Sequence, residues 1–124
     1  MEIAIIAHDA KKKKVIDFLQ QNSTFFKLGK VNLIATGTTG SKIKEAGFEV
    51  NALLSGPLGG DAQIAARVAE GTCKLVIFFR DPLEKHPHEP DVLMLMRLCD
   101  VHNVPLATNE ATASLVIKSF IEEN

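Results

Sequence analysis

The 124-residue sequence predicts an α/β fold: a single three-layer α/β/α domain over residues 1–124, built around a five-stranded parallel sheet. Three observations predict it. Apolar, β-branched runs alternate with segments of helical period from end to end. Most of these runs are continuously apolar, the pattern of strands covered on both faces. The helical segments between them supply the right-handed crossovers that parallel neighbours need. The length also excludes a closed eight-unit barrel, which needs about 250 residues.

The elements are expected in the following order. A strand at Ile3–Ala7 leads to a helix at Lys12–Gln21, whose apolar stripe is Val15, Phe18 and Leu19. A strand at Val31–Ala35 feeds a helix at Thr39–Ala46, and Gly47 stands where a C-terminal cap belongs. The third strand, Val50–Leu54, feeds a helix at Ala62–Glu70 that Gly71 ends in the same way. Leu75–Phe79 forms the fourth strand and Asp91–His102 the fourth helix, with Asn103 as its cap. Val104–Ala107 and Thr112–Ile121 complete the chain.

Composition narrows the function. Lys and Arg total 14 against 15 Asp and Glu, a formal net charge of −1. No basic excess points to nucleic acid or an anionic membrane, and no acidic excess points to disorder. Cys73 and Cys99 sit in apolar segments without partners at ligand spacing, so neither a disulfide framework nor a zinc site is expected. The first residues lack a basic leader, and no apolar run approaches the ~20 residues of a membrane span, so the expectation is a soluble, cytoplasmic protein.

In open parallel sheets, ligands bind beyond the carboxyl ends of the strands, near the point where strand order reverses. The residues after each predicted strand are therefore the candidates. They are His8-Asp9; Thr36-Gly37-Thr38-Thr39-Gly40; Ser55-Gly56-Pro57-Leu58-Gly59-Gly60-Asp61; Arg80-Asp81-Pro82 with the loop through His86 and His88 to Asp91; and Thr108-Asn109. Most of the hydroxylated and acid–base residues beyond ordinary surface charge fall on this one edge.

The Thr36–Gly40 loop runs into a helix, where glycine admits close backbone approach and the helix start attracts anions. Its threonines exceed what one N-cap needs, which favours an anion cradle over a plain turn capped by Thr38 or Thr39. The Ser55–Gly60 loop is a second such cradle. Asp61 opens the next helix, where an N-cap is the commoner role of aspartate, and a helix N-terminus stabilises a carboxylate and so weakens it as a base. Desolvation on substrate closure would restore that basicity. Helical geometry turns Lys11 and Lys12 towards the apolar stripe and strand ends, where one of the two could reach a phosphate, while Lys13 and Lys14 face solvent. His88 stands three residues before Asp91, a spacing that lets a carboxylate fix one imidazole tautomer. An ordinary helix start beside a surface histidine explains that spacing equally well. No nucleophile elbow, dinucleotide fingerprint or compelling metal set is present. Anion cradles, a cation, a carboxylate and an imidazole together suit proton abstraction beside a carbonyl in a small phosphorylated substrate. Triosephosphate isomerase is the standard example of that pairing of carboxylate and neutral histidine.

The stretches Ala7-His8-Asp9, Ala35–Gly40, Leu54–Asp61, Asp81-Pro82-Leu83, Pro87–Val92 and Pro105–Asn109 resemble methylglyoxal synthases in order and interval through essentially the whole chain. The resemblance implies a Rossmann- or flavodoxin-like domain that converts dihydroxyacetone phosphate to methylglyoxal and inorganic phosphate without metal or cofactor. It implies Asp61 as catalytic base, His88 as the group polarising the carbonyl, and Asp91 as its support. Asp9 and Asp81 match active-site carboxylates that tune the pocket. His8, Lys12, Thr36, Gly37, Thr38, Thr39, Ser55 and Gly56 match substrate-binding positions. It also implies a homo-oligomer, usually a hexamer, inhibited by phosphate.

Two positions depart from the pattern. Some members carry a basic residue in a longer C-terminal segment, a contribution missing here or supplied elsewhere, and Arg80 replaces an aromatic residue. The same fold serves as an effector-binding module in carbamoyl phosphate synthetase, which needs an anion loop but neither base nor imidazole. A phosphoacceptor receiver domain would want a lysine after the fifth strand, where Thr108-Asn109 stands.

Overall fold

The computed structural model describes residues 1–84 and 89–123. Among them the strands are β1 (Glu2–Ala7), β2 (Asn32–Ala35), β3 (Val50–Ala52), β4 (Cys73–Phe79) and β5 (Leu106–Ala107). The helices are α1 (Lys12–Gln21), α2 (Ser23–Phe26), α3 (Gly37–Glu45), α4 (Gly60–Glu70), α5 (Glu89–Val101) and α6 (Glu110–Glu123). The five strands are all parallel, in the order β3-β2-β1-β4-β5. The order reverses beside β1, because the chain steps outward through β2 and β3 and then crosses back to β4.

Alternation within β1 builds two cores. Ile3, Ile5 and Ala7 face Val15, Phe18 and Leu19 of α1, Ile43 of α3, and Ala113 and Ile117 of α6. Ala4 and Ile6 face Ile64, Ala65 and Val68 of α4 and Val92, Leu95 and Cys99 of α5. Period-two geometry puts successive side chains on opposite faces, so a strand buried on both sides has to be apolar throughout. Each fully buried Leu, Ile or Phe here contributes about 1.5–3 kcal/mol of hydrophobic stabilisation. Cys73 and Cys99 belong to the second core as free thiols, and burial pushes both up to about 11. Among the described residues no helix is long and apolar enough to cross a membrane.

Several boundaries differ from the sequence expectation for local reasons. β3 stops at Ala52, because the N–H of Leu54 donates to Oε1 of Gln63 on α4. β5 shrinks to two residues: Val104 gives its N–H to Cys99, and Pro105 has none to give. Helix α2 was not anticipated; it buries Phe25 and Phe26, with Phe26 meeting the Phe18 ring edge-on at 6.0 Å. Gly47, Gly71 and Asn103 do adopt the left-handed conformation after their helices, at φ values of 97°, 85° and 56°.

Candidate active site

A cavity of about 140 Å³ opens at the carboxyl ends of β1, β2 and β3, beside the reversal point. Ile6 and Ala7, at the end of β1, are among its lining residues. His8 and Asp9 line it from the turn after β1, Lys12 from the start of α1, Thr36 from the N-cap and Thr38 and Thr39 from the first turn of α3, Ser55, Gly56 and Pro57 from the loop after β3, and Asp61 from α4.

The second loop puts Thr36 at the N-cap of α3 in extended conformation, two residues before the position expected. Its hydroxyl makes no capping bond, so the first-turn N–H groups of α3 are not occupied by that side chain. Thr38 receives a hydrogen bond from Nζ of Lys12 at 2.5 Å, and the same ammonium contacts Oδ1 of Asp9 at 2.6 Å. The lysine thus ties the first loop to the second. Its side chain is 14% exposed against 96% for Asp9, so the positive charge faces the enclosed side and the carboxylate faces water.

The third loop is pressed against the second. Gly37 donates its N–H to the carbonyl of Leu54 at 3.1 Å, and a β-carbon on Gly37 would stand 3.0 Å from Ser55. Ser55 accepts the N–H groups of Leu58 and Gly60 on its carbonyl, which closes the short turn Gly56–Leu58. Gly59, at φ 109°, is the N-cap of α4 and sends the chain into the helix. Asp61 is consequently not the N-cap that its position suggested but the second residue of the helix, 0% exposed, with both carboxylate oxygens shut off from solvent.

His8 is 5% exposed, and its own N–H reaches the carbonyl of Phe79 at 3.2 Å. Its Nδ1 accepts the backbone N–H of Asp81 at 2.8 Å, and its ring meets Phe78 edge-on at 5.1 Å. Nine of the residues singled out in the sequence therefore surround one cavity: His8, Asp9, Lys12, Thr36, Thr38, Thr39, Ser55, Gly56 and Asp61. Gly37 stands behind the wall as the contact between two loops. Asp81 reaches the site through its main chain, its carboxylate accepting instead the N–H of Leu83. Asp91, half-buried in the first turn of α5, is not among the lining residues, and His86 and His88 lie outside the described residues. Gln63 was not anticipated, and Pro57 was named in the third loop without a role. Pro57 fixes the turn that shapes the third loop, and a proline after Ser-Gly was the available signal. Among the described residues no group of three or more His, Cys, Asp or Glu is arranged to hold a metal ion.

A family model described as an MGS-like domain matches residues 15–108. A methylglyoxal synthase of Clostridium botulinum (strain Eklund 17B / Type B) is 56% identical over 121 residues, 97% of this chain and 100% of the relative. The chain belongs to the methylglyoxal synthase family. A second member, from Borrelia garinii subsp. bavariensis, is 57% identical over 120 residues, covering 96% of this chain and 94% of its own. The crystal structure of methylglyoxal synthase from Elizabethkingia anophelis NUHP1 superposes with a TM-score of 0.86 at 46% identity, covering 94% of this chain and 76% of that one. The family match spans the second and third loops and Asp61, and the pairwise alignments extend over nearly the whole chain.

Proposed function

We propose that this enzyme is a carbon–oxygen lyase that converts dihydroxyacetone phosphate to methylglyoxal and inorganic phosphate. The observation that carries the reading is a single cavity in which a solvent-excluded carboxylate, Asp61, faces two anion-binding loops and the ammonium of Lys12. Asp61 removes a proton from the hydroxymethyl carbon. The electron pair moves to the carbonyl and gives an enediolate, which a hydrogen-bond donor stabilises. The family resemblance assigns that donor to His88, supported by Asp91. The enediolate then expels phosphate from the neighbouring carbon. The carbon–oxygen bond breaks with its electrons on phosphate, and the remaining enol tautomerises to methylglyoxal. Atoms and electrons balance without an oxidant or reductant, so the scheme needs no redox cofactor.

The enediolate has two fates, reprotonation or phosphate loss. Loss requires the breaking bond to stand roughly perpendicular to the enediolate plane. In this reading the threonine loop and the Ser55-Gly56 loop, held together by the Gly37–Leu54 hydrogen bond, impose that angle on the phosphate. Free phosphate would compete for the same donors, so inhibition by product is expected. An effector-binding module would need the cradle but not a carboxylate enclosed within it.

The test is to incubate the purified protein with dihydroxyacetone phosphate in the presence of a chelator and follow both products. Equimolar phosphate and methylglyoxal are expected. Binding of phosphate with neither product formed would transfer the reading to the effector module.

A cytoplasmic homo-oligomer, hexameric by family resemblance, is part of the proposal. Leu58, Leu83, Leu93 and Leu115 are 72%, 91%, 58% and 70% exposed, and subunit contacts would cover such residues. Sedimentation should give one species several times the 13.5 kDa chain, and a stable active monomer would contradict this part.

A further inference from the structure

The turn after β4 acts on the site without entering it. Asp81 and His8 are 73 residues apart in sequence, yet the backbone N–H of Asp81 donates to Nδ1 of His8 at 2.8 Å. Oδ1 of Asp81 accepts the N–H of Leu83 at 3.0 Å, the two-residue closure of an Asx turn. The aspartate uses its carboxylate to shape the turn and its main chain to hold the imidazole. A ring nitrogen that accepts an N–H carries no proton of its own, so this bond assigns a neutral ring with its proton on Nε2. Burial of the ring and its edge-on contact with Phe78 restrain it from turning over.

We propose that Asp81 is a positioning residue for His8. Its carboxylate sets the turn whose backbone N–H locks the imidazole as the Nε2–H tautomer, so that His8 meets the substrate as a hydrogen-bond donor to oxygen and not as a base. The inference rests on the reading of the cavity as a site for a phosphorylated ketone, and it assigns the Asp81 carboxylate a purely local partner. Negative charge is not required for that task, since an amide oxygen in the same place accepts the Leu83 N–H equally well.

The experiment compares the wild type, Asp81→Asn and Asp81→Ala by ¹⁵N NMR of the histidine rings and by steady-state kinetics. The His8 signals are identified by their loss in His8→Gln. The wild type and Asp81→Asn should each show one bare and one protonated ring nitrogen at His8, whereas Asp81→Ala should show a mixture of tautomers. Asp81→Ala should lower kcat about tenfold with little change in KM, the effect of one misdirected hydrogen bond, and Asp81→Asn should recover most of that loss. The proposal is overturned if Asp81→Asn falls as far as Asp81→Ala while the His8 signals stay those of the wild type, because the carboxylate charge then acts on the reaction itself. It is also overturned if Asp81→Ala leaves the ring signals unchanged. A wild-type protein that forms no methylglyoxal would sink the functional reading instead, and the ring spectra would still decide whether the lock exists.

Discussion

Asp61→Asn should lower turnover about a thousandfold while leaving the protein folded. Proton transfer by a positioned side chain contributes roughly 10²–10⁴ in rate, and among the described residues no other carboxylate lining the cavity is enclosed in it: Asp9 is 96% exposed and paired with Lys12. The replacement is nearly isosteric at a site with no exposed surface, so the cost in packing is small. The amide should therefore leave the melting temperature close to that of the wild type. Loss of both products together with a retained melting temperature is the expected pattern. Turnover within a fewfold of wild type would remove Asp61 from the chemistry. Asp61→Glu serves as a second variant. It keeps the base but lengthens it by one methylene, and misplacement of about 1 Å is enough to cost about a hundredfold.

Gly60→Ala should disable the site by a purely steric route. An added β-carbon would lie 2.0 Å from the carbonyl oxygen of Leu54 and 2.9 Å from Cγ2 of Thr36. The first of these atoms is backbone, so α4 or the third loop has to move. That displacement shifts Asp61, one residue on, relative to Thr36 and Ser55. The expected result is a loss of about a hundredfold in kcat/KM, with a destabilisation of about 1–3 kcal/mol from overpacking. The neighbouring Gly59 is the control. Nothing lies within 4 Å of its would-be β-carbon, and its demand is only conformational, a φ of 109°. Gly59→Ala should cost about 1 kcal/mol of backbone strain with a much smaller effect on kcat/KM. Melting curves and kinetics on the two variants separate the two reasons for glycine. Equal activity losses would mean that the close approach of Gly60 to Leu54 does not set the geometry of the cavity.

Much of this was legible in the chain because the relevant signals are local. Helix α1 falls at Lys12–Gln21 as its apolar stripe predicts. The left-handed positions Gly47, Gly71 and Asn103 follow from what can occupy them. The threonine and glycine loops were recognisable from composition, and from the helix that follows each, as segments that line the cavity. Less legible was the start of α4. Gly-Gly-Asp reads as a loop ending in an aspartate cap, whereas the helix begins two residues earlier, at Gly60 behind a Gly59 cap, and so turns Asp61 inward. Helix α2 was missed because a four-residue helix has too little length to display a period, although two adjacent phenylalanines hinted at burial.

The sequence by itself determined the layer architecture, the parallel sheet and the edge at which chemistry collects, because strand and helix periods are set by neighbours a few residues apart. Only the tertiary structure decided which loops on that edge touch. The return of β4 to the far side of β1 brings the Asp81 N–H to His8, and the pairing of β1 with β2 brings Lys12 to Thr38. Strand order and crossover path govern those contacts. They arise from packing between segments 26 to 73 residues apart, a range over which no local pattern carries information.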